Sequence, residues 1–180
     1  ELSLIGDREE NQDRVAIGHS PSTALLLAVD GMGGHADGAR AAGVATQTIV
    51  EAFRRINQPV FDPQGFLHQL VGKAHAQLVK LGAELRIEAR PRATCALCLV
   101  QDGFSYWAHV GDSRIYHLRN GQVHERTRDH SHVELLLQEG LITEDEISDH
   151  PMRNFVESCL GGNFALPGMT VTAPHRLQQG

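Results

Sequence analysis

Two amphipathic helical patterns follow one another between residues 36 and 88 with no strand between them, and this succession limits how the chain can fold. In the first, about Ala36 to Ile56, Ala45, Ile49, Ala52, Phe53 and Ile56 fall on one stripe at the 3.6-residue period. Asp37 is placed there as a cap or first-turn acid. The second follows the turn around Pro59–Pro63 and runs from roughly Gln64 to Glu88. Its apolar face is Leu67, Leu70, Val71, Ala74, Leu78, Leu81 and Leu85. Strand patterns stand on both sides of the helical pair, which argues for an α+β fold with largely antiparallel sheets. Two packed sheets with helices outside would give each amphipathic face something to cover.

The strand patterns are short. Leu2–Ile5 and Arg14–His19 open the chain, and Thr23 to Val29 is a continuous apolar run that reads as a strand buried on both faces. From Ala93 the period becomes two. ATCALCLV leads through an Asp102-Gly103 turn to FSYWAHV, where Phe104, Tyr106, Ala108 and Val110 alternate. Arg114 to Leu118 is another strand, and Asn120-Gly121 is a hairpin turn into Gln122–Arg126. Helical segments are expected near Ser131–Gln138, Glu144–Asp149 and Arg153–Cys159, and a further strand near Met169–Ala173.

Composition narrows the function. The 180 residues are 41% hydrophobic with 18 glycines, a globular balance for one domain or part of a larger one. Sixteen Lys and Arg against 22 Asp and Glu leave a formal charge of −6, the wrong sign for a general nucleic-acid binder. The apolar run Ala24–Val29 is far too short to cross a bilayer, so neither nucleic acid nor membrane is an expected partner. No secretory signal is visible, although the first residue is Glu and not Met. Three cysteines give no disulfide framework and fit a reducing, cytoplasmic setting. Cys95 and Cys98 form a CxxC, but a separation of three along a strand puts them on opposite faces, as buried structural residues. His68 and His75, two turns apart on one helical face and roughly 10 Å by rise, are too distant to share an ion and read as surface residues.

The chemistry concentrates in three polar stretches. Asp30-Gly31-Met32-Gly33-Gly34 puts an aspartate at the exit of a rigid strand, with a glycine beside it that lets a carbonyl oxygen face the same point. All-oxygen donors of this kind suit Mg²⁺ or Mn²⁺; a glycine turn with a capping aspartate reads the same way locally. The stretch also fits G-x-G-x-x-A, but no parallel strand follows its helix and Glu51, the acid twenty positions on, lies inside the helical pattern, so a dinucleotide site is disfavoured. Gly6-Asp7-Arg8-Glu9-Glu10-Asn11-Gln12-Asp13 offers Arg8 as a planar fork for phosphate oxygens and Asp13 as a holder of metal-bound water. Val110-Gly111-Asp112-Ser113-Arg114 is a turn between two strands that reads locally as a polar hairpin, with Asp112 a further carboxylate. Asp129-His130-Ser131 reads as a loop and helix cap, since sequence neighbours rarely form a triad.

Together and in this order, GDREENQD, AVDGMGGHADG, RATCALCLV, AHVGDSRIYHLRNG, TRDHSHVELLLQEG and HPMRNFVESCLGG resemble the metal-dependent protein serine/threonine phosphatases, the PPM or type 2C family, in its bacterial form. The glycine usual before the Thr94 position is Ala93 here. The resemblance implies a four-layer α-β-β-α sandwich of two antiparallel sheets flanked by helices, and a binuclear Mn²⁺ or Mg²⁺ centre. It makes Asp30 the carboxylate bridging both metals and Gly31 the carbonyl ligand of the second. Asp13 holds that metal through water, Arg8 clamps the phosphate, and Asp112 takes part in a weaker third metal site. It also implies water attack on phosphoserine or phosphothreonine in proteins, and a bacterial Ser/Thr kinase or its substrates as partners. Residues 131–150 resemble a flap subdomain beside the active site. Met32 occupies the position where some members carry a histidine, so water or another residue protonates the leaving group.

Family members continue beyond the point matching Gly180 into a Ser-Asp-Gly strand and an Asp-Asn pair, which complete the first metal's shell. Residues 1–180 are therefore expected to be a single phosphatase domain truncated at its C-terminus, with little activity by themselves. The alternative is a non-catalytic, phosphatase-like regulatory module that binds a phosphoprotein or kinase.

Overall fold

The computed structural model describes residues 2–5, 10–32 and 36–178. The strands are β1 Asp13–His19, β2 Thr23–Met32, β3 Arg92–Ala93, β4 Cys95–Gln101, β5 Phe104–Val110, β6 Tyr116–Arg119, β7 Gln122–Arg126, β8 Leu160–Gly161, β9 Thr170–Val171 and β10 His175–Arg176. The helices are α1 Ala36–Arg55, α2 Pro63–Leu81 and α3 His132–Gln138. Eight strands form the main antiparallel sheet, with β1, β4 and β3 all paired to β2 and with β5, β9 and β10 beyond β4. β6 and β7 make a separate two-stranded sheet.

Helices α1 and α2 cover one face of the main sheet. Ala45, Ile49 and Phe53 from α1, and Leu67, Leu70, Val71, Ala74 and Leu78 from α2, are buried against Leu25, Leu27, Val29, Leu97, Leu99, Ala108 and Val110. The β6–β7 sheet lies over the opposite face, across an apolar groove of about 520 Å³ lined by Leu26, Ala28, Ala96, Cys98 and Trp107 on one side and Ile115, Tyr116 and Leu118 on the other. The expected α+β arrangement, two antiparallel sheets with flanking helices, is present. Among the described residues no helix is long and apolar enough to cross a membrane.

Several local expectations need correction. Leu2–Ile5 is not a strand. β2 is buried on alternate residues only, because its second face looks into the groove, and it runs on through Asp30 and Gly31 to Met32. α2 stops at Leu81, where Arg90 and Pro91 crowd Gly82, so Leu85 leaves the apolar stripe and is exposed. β6 begins at Tyr116 and pairs with β7, so the Val110–Arg114 turn crosses between sheets and is not a hairpin. Residues 144–149 hold one 3-10 turn, Glu144–Glu146, closed by a Thr143/Glu146 capping box. Residues 153–159 are not helical, because the Phe155 carbonyl and Glu157 N–H are engaged by His132 and His130. His68 is exposed, but His75 is buried and its Nδ1 accepts the Gly161 N–H at 3.2 Å.

Candidate metal centre

The register of β1 against β2 sets Asp13 opposite Asp30. One residue beyond that pair on each strand, the Gly31 N–H donates to the Gln12 carbonyl at 3.1 Å. Asp13 and Asp30 are therefore a non-hydrogen-bonded pair, the type in which Cα atoms approach to about 4.5 Å and side chains come closest. Both are exposed. They line a polar recess of about 150 Å³ together with Glu10, Asn11, Gln12 and Gly31, while Leu4 and Ile5 supply its apolar wall.

The backbone around the recess is fixed from three sides. The Asp30 carbonyl accepts from the Thr94 N–H at 2.8 Å, and the Asp30 N–H donates to Thr94 Oγ1 at 3.3 Å. Thr94 Oγ1 in turn bonds Ser113 Oγ at 2.6 Å. On the β1 side the Asp13 N–H donates to Asn11 Oδ1 at 2.9 Å, a local turn that starts the strand, and Arg14 Nη1 donates to the Asn11 and Asp13 carbonyls. Beneath the recess, β2 meets the first turn of α1 so closely that a Cβ on Gly31 would collide with the Gly38 carbonyl. Glycine at position 31 is a packing requirement.

Three of the five expected site residues, Asp13, Asp30 and Gly31, are thus brought together. Asp112 is half-buried on the turn that delivers Ser113 to Thr94, and it does not line the recess. Arg8, like the Gly33-Gly34 pair, lies outside the described residues. Sequence reasoning missed Thr94, Ser113 and the fork of Arg114 on Asp129, at 2.7 and 2.6 Å, which raises the Arg114 pKa. The only sequence signal for that pair is the polarity of two separate loops.

The donor set fits a hard divalent cation. Asp13 and Asp30 bring two carboxyl groups to one recess, and Gly31 lines it beside them. Among the described residues no three His, Cys, Asp or Glu side chains cluster to hold an ion. One or two carboxylates with retained water is the habit of Mg²⁺, whereas zinc sites use several nitrogen or sulfur ligands.

Comparison with known proteins identifies the family of the chain. The family model for protein phosphatase 2C matches residues 3–150. The serine/threonine protein phosphatase PstP of Mycobacterium tuberculosis is 32% identical over 168 residues, 91% of this chain and 31% of the relative. The protein phosphatase PhpP of Streptococcus pneumoniae is 31% identical over 169 residues, 89% of this chain and 68% of the relative. The chain therefore spans about a third of the length of the first relative and about two thirds of the other. A solved serine/threonine phosphatase of S. agalactiae superposes with a TM-score of 0.90 at 26% identity, covering 99% of this chain and 74% of that one. The catalytic domain of PstP, solved in complex with two manganese ions, gives a TM-score of 0.75 at 27% identity, covering 100% of this chain and 71% of that one.

Proposed function

The chain belongs to the protein phosphatase 2C family, and from that membership we propose that it carries the metal-binding core of a phosphoprotein phosphatase acting on phosphoserine and phosphothreonine. The observation that carries the reading is the close cross-strand pair of Asp13 and Asp30 beside Gly31. Two divalent cations, Mn²⁺ or Mg²⁺, would supply Lewis acidity and an activated water there.

Asp30, the Gly31 carbonyl and, through water, Asp13 would hold these ions. Arg8 clamps the phosphate oxygens with its planar fork. Asp112 would serve a weaker third site. Residues 131–150, which contain α3 and the Thr143 capping box, act as a flap beside the substrate, and residues 1–180 belong to one phosphatase domain. The natural substrates are those of a Ser/Thr kinase. Three free thiols, Cys95, Cys98 and Cys159, support a reducing compartment such as the cytoplasm.

The test is release of phosphate from a phosphothreonine peptide by the protein that carries this chain. Activity is expected with Mn²⁺, with a loss of roughly a hundredfold or more in Asp30→Asn. Turnover that persists in excess chelator would overturn the metal reading. Partner binding that survives Asp30→Asn, with no phosphate release from any peptide, would favour the regulatory module.

A further inference from the structure

The turn that leaves β5 is gripped at both of its ends by two consecutive residues. At one end the His130 N–H donates to the Gly111 carbonyl at 2.9 Å, and the Gly111 N–H donates back to His130 Nδ1 at 3.3 Å. At the other end Arg114 forks onto Asp129. Asp112 and Ser113 lie between the two grips, and Ser113 reaches Asp30 through Thr94.

The His130 ring is itself held. Because Nδ1 accepts, the proton is on Nε2, which donates to Thr170 Oγ1 at 2.9 Å. The ring stacks on His109 with centroids 4.4 Å apart, and His109 Nε2 donates to the Arg128 carbonyl at 2.7 Å. Burial and His109 push the His130 pKa down to about 4, so the ring is neutral and Nδ1 remains an acceptor near neutral pH. Gly111 has φ +97°, a backbone setting that glycine adopts readily and other residues rarely do. The next residue, Ser131, caps α3 by accepting from the Glu134 N–H, and the His130 carbonyl accepts from Glu157.

We propose that His130 is a positioning residue: it fixes Gly111, thereby sets Ser113 against Thr94 and the Asp30 end of β2, and ties that setting to the start of α3. The consequence for metal binding rests on the phosphatase reading above, whereas the grip on the turn does not. Metal-site residues commonly lose affinity when the groups that orient them are removed.

Two readouts test it on the full chain: amide hydrogen exchange at Gly111–Ser113 and direct Mn²⁺ binding followed by the spectroscopic signal of the free ion. His130→Leu removes the acceptor, and His130→Asn retains one at the Nδ1 position. In His130→Leu, exchange at Gly111 is expected to rise by roughly tenfold or more while β4 amides are unchanged, and Mn²⁺ affinity to fall roughly tenfold. His130→Asn should restore both to within about threefold. Unchanged exchange at Gly111 in a folded His130→Leu chain overturns the proposal, as does equal impairment of the Leu and Asn variants. Altered exchange with unaltered Mn²⁺ affinity overturns the coupling to the site. A parent chain that binds no Mn²⁺ overturns the metal reading instead, and the exchange result alone then decides the grip. If His130→Leu fails to fold, Thr170→Val, which removes only the acceptor of Nε2–H, is read in the same two ways.

Discussion

Asp13 and Asp30 face each other across β1 and β2 at a position where neither backbone bonds the other, so their carboxylates share one recess. A ligand that binds only the folded chain stabilises it by about 2.7 kcal/mol at a hundred times its dissociation constant. Saturating Mn²⁺ should therefore raise the melting temperature of the parent chain by several degrees. Asp30→Asn and Asp13→Asn should each abolish most of that rise, measured by differential scanning fluorimetry. An undiminished Mn²⁺ shift in both variants would place the ion elsewhere.

The approach of β2 to α1 gives a matched pair of glycine substitutions. Gly31→Ala drives a methyl group into the Gly38 carbonyl, a backbone atom that cannot swing aside. It should cost about 1–3 kcal/mol, the range for overpacking. Gly43, inside α1, faces open space, and a methyl group added there would meet nothing within 4 Å. Gly43→Ala should instead stabilise the chain by about 0.5–1 kcal/mol, because alanine is the better helix former. Urea denaturation of the two variants checks the opposite signs.

What can be read from sequence is whatever repeats locally. The stripes of α1 and α2 declare themselves by period, and Asp102-Gly103 and Asn120-Gly121 adopt the positive φ angles that mark tight hairpin turns. The burial of His75 escapes such a reading because its partner, Gly161, is 86 residues away and covers it only after β8 has docked on β3. The end of α2 escapes it for a similar reason: the crowding at Gly82 comes from Arg90 and Pro91, not from the helix pattern. At the candidate site, the residue types are legible in the DGMGG and GDREENQD stretches. That Asp13 meets Asp30 while Asp112 stands apart depends on strand register and on a crossing turn, which no local pattern encodes.

The CxxC pair should be chemically quiet. Cys95 faces the helices and Cys98 the groove, on opposite sides of β4, and burial raises their thiol pKa values to about 12 and about 11. Burial raises Cys159 as well. Since the thiolate is the reactive form, native protein at pH 8 should take up iodoacetamide far more slowly than urea-unfolded protein, by at least roughly tenfold. Intact mass against time reads both rates. Rapid double labelling of the native chain would show that β4 opens or that the cysteines are exposed.

Acid sensitivity should appear before the carboxylates titrate. Burial lowers the pKa values of His75, His109 and His130 below the ordinary 6.5, so all three are neutral in the fold and gain protons more readily when the chain unfolds. The unfolded state then binds more protons than the native state below pH 6.5, and stability must fall as pH falls. The contribution is complete above pH 6.5, and for His130 it is lost progressively down to about pH 4, where the native ring itself charges. Melting temperature should therefore be nearly flat from pH 8 to 7 and decline from pH 6.5 to 5, a window above most carboxylate titration. His130→Asn, which has no proton to gain, should show a shallower decline across that window. A parent and variant with identical slopes would mean that His130 is already solvated in the native chain.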